Sequence, residues 1–550
     1  MLTSLLIKSL GFIFSLLPYS FLEFATELLG SVFVSIPSGR RRLLFSNLKH
    51  SFPDWSHAKV KSVARQSSAR MFEMGFFSLT YPFLSKDKLK RTILYSREVE
   101  GQLEEYRSDG KPSIILLPHI CLFETIATSP YFRPHRGKRL GAIYRPNRNP
   151  VLDRWINRAR LKMGLKTFAR KSGLLKARDH LRQGNWLVVL FDQNAGTMGA
   201  KGVFLDRLCS ISPLPDLLGK TPGAKCVYAF PRRTAFFQSQ LELRTVPPSP
   251  KGFSADAHGI LEEDLRGCPD GLPEWLWSHG KWKTNDMPHE FFHLQKGNRS
   301  KIAQSRIPRK TKIWIRMPNW LGDIVMALPL VRAIRSGRPD ASITLLCKKQ
   351  YVDFLESLGL SETVLCLPKE KGFGYFSSAL KWRKNYPDTM LVLTNSLRGD
   401  LEAFLIGAKL RIGMVREYWR PLLNAIWKVP KKADSWHQTK IWGGLVRHFG
   451  LRELIDFSPL NDQSKRAKHN KQTICFAPGS SNTPEKRWPV ENWIELINIM
   501  VEKHPACNFK LIGTSKDSEI CREIEKNLNS REIENCSGKT SIIQLCELFH

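Results

Sequence analysis

No two of the 11 cysteines stand at C-x-x-C spacing, which argues against a paired-cysteine zinc site and a dithiol redox motif. Scattered from Cys121 to Cys546 and odd in number, they fit free thiols in a reducing compartment and no metal site. Zinc-finger spacing, an aromatic RNA-binding signature and a basic zipper are all missing, which counts against nucleic acid as a partner. Acidic side chains are scarce as well: 50 Asp and Glu stand against 85 Lys and Arg, a formal charge of +35. Such a surface attracts polyanions, and with nucleic acid set aside, acidic lipid and phosphorylated sugar remain. Nor does any apolar run reach the ~20 clean residues that span a bilayer comfortably. The stretch from Leu2 to Ile36 is apolar but interrupted by Lys8, Pro18, Glu23 and Glu27. It has no small-residue cleavage site and is followed by Arg40, Arg41 and Arg42, unlike a secretory leader. Our expectation is a membrane anchor, inserted or interfacial, on the cytoplasmic face, with the arginines meeting acidic headgroups. The alternative is an apolar helix packed on the first domain.

What is present has a globular composition, 42% hydrophobic and 25% charged over 550 residues, with room for three domains. Composition and periodicity divide the chain into an anchoring segment 1–37, an α/β domain 38–283, a polar basic linker 284–311, and two βα systems at 312–465 and 466–550. The first βα system opens with a strand KIWIRM, a turn PNWLG and a helix. In that helix Ile324, Ala327, Leu328, Val331 and Ile334 recur at helical spacing. A strand SITLLC at 342–347 follows, which predicts a parallel sheet wound by helices. The second opens at TICFAPGS (473–480), with a helix over 489–502, a strand FKLIG at 509–513 and a helix over 516–528. The fold class is α/β throughout, and no internal repeat or low-complexity tract interrupts it.

The first chemical constellation follows an apolar strand in SIILLPHICLFETIATS, which carries His119 and Glu124. Five residues at about 100° each would put the two side chains about 140° apart on one helix. They converge only if His119 lies in the turn before it, as Pro118 suggests. A carboxylate beside an imidazole fixes its tautomer and makes it a competent general base toward a hydroxyl. That spacing is common by itself. Downstream stand Tyr144, Arg145, Pro146, Asn149, Pro150, Asp153 and Arg160, then Asp192 and Gln193 in VVLFDQNAG, then Trp275, Trp277, His279, Trp282 and Lys283 in PEWLWSHGKWK. Together these resemble the late acyltransferases of lipid A biosynthesis, the lauroyl and myristoyl transferases of the lysophospholipid acyltransferase superfamily, over about residues 1–283. The resemblance implies acyl transfer from acyl carrier protein to a hydroxyl of a lipid A precursor. His119 would deprotonate that hydroxyl, Glu124 would orient His119, and Arg145 would sit near the oxyanion or a substrate phosphate. Asp192 and Gln193 match a later family motif. The plainer readings make Arg145 a surface cation, Asp192 a strand-end cap and the tryptophans packing residues. Leu205 and Asp206 stand where relatives carry a phenylalanine–glycine pair, a departure that bears on acyl length and pocket shape.

In the second constellation Gly322 permits close backbone approach and Asp323 opens a helix, where Asp is most often a cap or dipole partner. The segment APGSSNTPEKRWPVENW supplies a strand, a small-residue loop, a helix start and the cations Lys486 and Arg487, which suits a diphosphate. It lacks a full P-loop signature. With LTNSLRGDLEAFLIGAKLRIG at 393–413, these motifs resemble the ADP-heptose:lipopolysaccharide heptosyltransferases of glycosyltransferase family 9, from about Lys312 to the last residue. What the resemblance implies is a two-lobed Rossmann-like GT-B region and inverting transfer. Asp323 would be the base, Lys486 would stabilise phosphate groups, and Asn395, Ser396 and Arg398 would face an anionic acceptor. The Asp-Ser-Gly…His segment of the family is not found before His550, so the second lobe is expected to be incomplete. The whole is expected to work at the cytoplasmic face of a bacterial inner membrane, with acyl-acyl carrier protein and ADP-heptose as substrates and no cofactor. The rivals are a general lysophospholipid acyltransferase and a non-catalytic lipid-binding scaffold.

Overall fold

The computed structural model describes residues 2–132, 139–147, 149–170, 172–286, 307–370, 372–416, 419–433, 435–451, 455–458, 472–480, 484–528 and 533–549. The chain forms two compact units. One comprises residues 1–314, 334–342 and 371–453, and the other residues 315–333, 343–370 and 454–550.

The first unit begins with four helices, α1 (Leu2–Leu16), α2 (Tyr19–Ser35), α3 (Gly39–Ser51) and α4 (His57–Thr80). Pro18 separates α1 from α2, because it lacks the N–H that a continuous helix would use. Among the described residues no single helix is long and apolar enough to cross a membrane, although α2 and α3, bent by 91°, together meet that length and composition. The acidic residues that interrupt the apolar segment have partners in the body of the unit. Glu27 pairs with Arg70 at 2.8 Å and Glu23 with Arg233 at 2.7 Å, and both arginines also grip the fully buried Glu73. Glu73 further accepts the Phe237 N–H at 3.0 Å. Gly30 lets α2 lie directly on α4: a Cβ there would stand 2.7 Å from the Ala69 nitrogen. Within the segment 1–37, α2 is thus ion-paired and packed onto the body of the first unit. Its other side stays open, with Leu16 68%, Phe24 66% and Phe12 53% exposed. Each of the arginines that follow has a contact within the unit. Arg40 donates to the Ser278 carbonyl and Arg41 to that of Val34, while the Arg42 guanidinium lies over the Tyr386 ring.

A seven-stranded sheet forms the centre of this unit, from β1 (Ile93–Leu94), β2 (Ser113–Leu117), β3 (Leu140–Tyr144), β4 (Lys166–Ala169), β5 (Trp186–Leu190), β8 (Lys225–Ala235) and β9 (Gln238–Thr245). Its order is β1-β9-β8-β2-β5-β3-β4, and every neighbouring pair is parallel except β8 with β9. β2 is buried along its whole length, which is why its sequence SIILL is an unbroken run with little polarity. Between β5 and β8 lies an antiparallel hairpin, β6 (Ala200–Phe204) and β7 (Arg207–Ile211). Leu205 and Asp206 make its two-residue turn, both at positive φ (51° and 55°), a conformation that asparagine and glycine adopt more readily. Helix Phe253–Gly267 holds the turn in place, since Glu262 accepts the Leu205 N–H and Arg266 pairs with Asp206.

The tryptophan-rich segment closes the unit. Trp275 pairs with Ile120 in an antiparallel bridge, and Asn47 of α3 donates to the carbonyls of Trp277 and His279. Behind it Lys281 is fully buried and donates to Nε2 of His258 at 2.6 Å, while His258 Nδ1 bonds the Ser254 carbonyl. Burial, reinforced by the Lys281 charge, pushes the His258 pKa down to about 3. Burial pushes His279 down to about 4. Thr284 and Asn285 are buried too, and Asn285 donates to the Leu208 carbonyl. The expected linker 284–311 thus begins later than its composition suggests, and its residues 287–306 lie outside the described residues.

The division of the second half also differs from the expected boundary at 465. Residues 371–453 belong to the first unit, where strands Thr389–Val392, Leu410–Val415 and Ala425–Lys428 pair in parallel. The physical reason is a buried ion pair. Arg207, beginning β7, donates to Asp388 at 2.9 Å, and the same Asp388 oxygen accepts the Lys312 N–H. In the other unit residues 344–347 pair in parallel with strand Thr363–Cys366. That unit also has a parallel three-stranded sheet of Thr473–Phe476, Asn508–Leu511 and Ile533–Asn535. Helices Val490–Lys503 and Ser518–Lys526 contribute Ile497, Cys521 and Ile524 to the core of that sheet. The apolar positions read along helix Leu321–Gly337 are all buried.

Replacing Glu73 by alanine would leave Arg70 and Arg233 with only the outlying Glu23 and Glu27. A buried charge that loses its partner costs about 3–5 kcal/mol, so a denaturant titration of Glu73→Ala is expected to show a loss near the lower end of that range. His258 and His279 predict a pH dependence. Their folded pKa values of about 3 and about 4 lie below the ordinary value of about 6.5, so the unfolded chain takes up the protons first. Stability is fully present above about pH 6.5 and is lost as pH falls from there toward about 4, at up to about 1.4 kcal/mol per pH unit for each group. Urea midpoints at pH 7.5 and pH 5 should record the drop, and the double variant His258→Gln/His279→Gln should flatten it.

Candidate active site

β2 and β5 are adjacent and parallel, with Leu117 opposite Leu190. Two residues beyond these partners stand His119 and Asp192, so the register itself brings them face to face at the carboxyl ends of the strands. That is where open α/β sheets bind their ligands.

The fully buried Asp192 accepts three hydrogen bonds. His119 Nδ1 donates to Oδ1 at 2.6 Å, the His119 backbone N–H to Oδ2 at 2.9 Å, and the Trp275 indole N–H to Oδ2 at 2.8 Å. Burial acts to raise the Asp192 pKa, but the His119 ring and its hydrogen bonds outweigh it and hold the carboxyl well below the usual range. An ionised Asp192 binds Nδ1–H, so the neutral imidazole carries its lone pair on Nε2. Gln193 donates its side-chain N–H to that lone pair at 2.8 Å. His119 and Gln193 line a cleft of about 640 Å³ together with Tyr144, Arg145, Arg160 and Arg170. Arg40 is a fourth cation on its wall. Asp153 also lines it, and its carboxylate holds the loop before helix Pro150–Lys162 by accepting the Asn147 N–H. The cleft is thus cationic around an imidazole that presents Nε2 to it.

Glu124 does not orient His119, contrary to the expectation from the five-residue spacing. The turn at Pro118 does place His119 ahead of helix Thr125–Thr128, but Glu124 is buried and turned to Arg160, which donates to both its oxygens. Burial acts to lower the Arg160 pKa, and the Glu124 carboxylate outweighs it and raises it. Glu124 thereby fixes one cation of the cleft, and Asp192 takes the role expected of Glu124. Trp277 and Trp282 are buried packing residues, whereas Trp275 is also a hydrogen-bond donor to the site. Composition flagged Trp275, but no local signal tied it to Asp192 across 83 residues.

The residues of the second constellation stand as follows. Ser396 caps helix Leu397–Ile406 by accepting the Gly399 N–H at 3.2 Å, beside an exposed Asn395. Arg398 pairs with Glu402 and lies 3.9 Å over the Tyr375 ring. In the other unit, Asp323 is in the first turn of helix Leu321–Gly337. Lys486 ends a short 3-10 turn, and Arg487 donates to the Ser480 carbonyl at 3.2 Å, with Asp517 at 3.9 Å. Pro489 immediately precedes helix Val490–Lys503 as its N-cap. Residues 481–483 of this loop lie outside the described residues.

Comparison with known proteins bears on both halves. The family model described as glycosyltransferase family 9 (heptosyltransferase) matches residues 378–550. Lipopolysaccharide heptosyltransferase 2 of Escherichia coli K12 is 25% identical over 263 residues, covering 42% of this chain and 73% of that protein. On the other side, a lipid A biosynthesis acyltransferase of Haemophilus influenzae is 27% identical over 194 residues, 34% of this chain and 58% of that protein. The lipid A biosynthesis myristoyltransferase of Escherichia coli K12 is 26% identical over 225 residues, 40% of this chain and 67% of that protein. The family model described as bacterial lipid A biosynthesis acyltransferase matches residues 2–284, just over half of the chain. The chain belongs to that transferase family, and it carries a glycosyltransferase family 9 region fused on its C-terminal side.

Proposed function

We propose that this enzyme moves a fatty acyl chain from acyl carrier protein to a hydroxyl of a lipid A precursor, with His119 as the general base. The observation that supports this most is the Asp192–His119 pair, which leaves Nε2 facing a cleft lined with arginines. The acceptor hydroxyl displaces the Gln193 amide and gives its proton to Nε2 as its oxygen attacks the thioester carbonyl. Asp192 stabilises the imidazolium that results. The C–S bond then breaks, and the imidazolium returns the proton to the departing thiolate. Arg145 and Arg160 supply positive charge for the oxyanion or for phosphates on the acceptor.

The exposed apolar side of α1 and α2 supports attachment to the cytoplasmic face of the inner membrane, where both substrates would meet it. For the second half we propose ADP-heptose as donor substrate, with Lys486 and Arg487 toward its phosphates and Asp323 as the base of the transfer; in the first unit, Asn395, Ser396 and Arg398 are proposed to contact an anionic acceptor.

With acyl carrier protein thioester and Kdo-lipid A, His119→Ala is expected to lower acyl incorporation by about 10²–10⁴, and Asp192→Asn to lower kcat with little change in KM. Equal incorporation by wild type and His119→Ala would reject the mechanism. Incorporation into lysophospholipid alone would instead assign a general lysophospholipid acyltransferase. For the sugar half, calorimetry should detect ADP-heptose binding that Lys486→Ala weakens at least tenfold, and absence of binding by the intact chain would remove that proposal.

A further inference from the structure

A second cavity, of about 330 Å³, lies within the first unit and is separate from the His119 cleft. Helix α3 lines one wall with Gly39, Arg42 and Asn47, and Arg207 and Lys283 extend that wall. The opposite wall comes from the second half of the sequence. Arg383 and Asp388 precede strand Thr389–Val392, and Lys409 and Arg411 stand at the start of strand Leu410–Val415. These are the amino ends of the two strands. Asn395 and Ser396, read above as facing a sugar acceptor, follow the carboxyl end of the first strand, so the cavity is not part of the glycosyltransferase-like site.

Among the described residues six cations line this space, Arg42, Arg207, Lys283, Arg383, Lys409 and Arg411, against one carboxylate, Asp388. That carboxylate is already engaged by Arg207 and by the Lys312 N–H. Part of the cationic set is also engaged by protein: Arg411 donates to the carbonyls of Ala408 and Leu422. Among the described residues two buried donors have no partner, Nη2 of Arg42 and Nε of Arg207, and Arg207 is 98% buried. Gly407, at φ 71°, ends helix Leu397–Ile406, and a Cβ there would stand 2.7 Å from Nη1 of Arg42, so only glycine lets that guanidinium lie where it does. Burial, the largest cause, and the neighbouring Arg383 and Arg411 charges together bring the Arg42 pKa down to about 10, against the opposing effect of Tyr386 and Asp388. An unpaired buried donor and a self-repelling set of charges both cost free energy. A multiply charged anion would satisfy both.

We infer that this cavity binds a phosphate or diphosphate group between Arg42 of the acyltransferase half and Arg383 and Arg411 of the fused half. Guanidinium groups suit that ligand because their planar donors match phosphate oxygens two at a time. The site takes residues from both halves, so its occupancy would tie them together. The phosphate can come from a soluble phosphorylated compound or from a lipid headgroup.

The test uses the full chain with inorganic pyrophosphate in calorimetry, and with vesicles of phosphatidylglycerol or phosphatidylcholine in sedimentation. Arg42→Gln and Arg383→Gln are compared with wild type. Arg145→Gln, in the His119 cleft, is the control for anion binding elsewhere. Pyrophosphate affinity that falls at least tenfold in the first two variants but not in Arg145→Gln supports the site and a soluble source. Unchanged pyrophosphate binding, with a tenfold loss of sedimentation on phosphatidylglycerol alone in those two variants, supports the site and a headgroup source. Neither change in either variant overturns the inference. Arg383 is exposed, so Arg383→Gln decides the matter even if Arg42→Gln fails to fold.

Discussion

The Asp192 carboxylate is the constraint on which the acyltransferase half turns. A buried carboxylate is costly unless donors replace the water it loses, and here three do so from two separate segments. Two of them come from His119, so the same bonds that stabilise the charge also fix the backbone of the loop and the tautomer of the ring. The third comes from Trp275, which brings the segment after residue 273 across the end of the sheet. Asn47 then fastens that segment to α3. The geometry of the candidate site and closure of the domain therefore share one charged group.

Charge also explains the N-terminal helices. Glu23 and Glu27 break an apolar segment, and they are the points at which α2 is clamped to Arg233 and Arg70 around Glu73. Because those acids point into the body, the opposite side of the helix pair is left apolar and exposed. Helix α2 buries Leu22, Thr26, Gly30 and Val34 and leaves Phe21, Phe24, Leu28 and Val32 outward, so apolar residues lie on both of its sides.

The fused halves meet, within the first unit, through the buried Arg207–Asp388 pair. Such a pair contributes little net stability, but losing either partner is expensive, so it specifies how residues 371–453 dock against β7. It also consumes the one carboxylate among the cations around it. The surplus of positive charge left there is local, and the overall charge of +35 did not reveal where it would gather.

Much of the architecture was legible from local pattern. The run SIILL read as a buried strand, the spacing of Ile324 to Ile334 gave a buried helical face, and Pro118 placed His119 in a turn, all consequences of period and proline chemistry that operate within a few residues. The sequence by itself determined the residue types of the site and the order of motifs that carries the family resemblance. Only the tertiary structure decided which carboxylate serves His119. Glu124 is five residues away and Asp192 is 73, yet β2 lies beside β5 in parallel register and turns the distant one toward the imidazole, while Arg160 takes the near one. Strand order is set by long-range packing, and no local spacing records it.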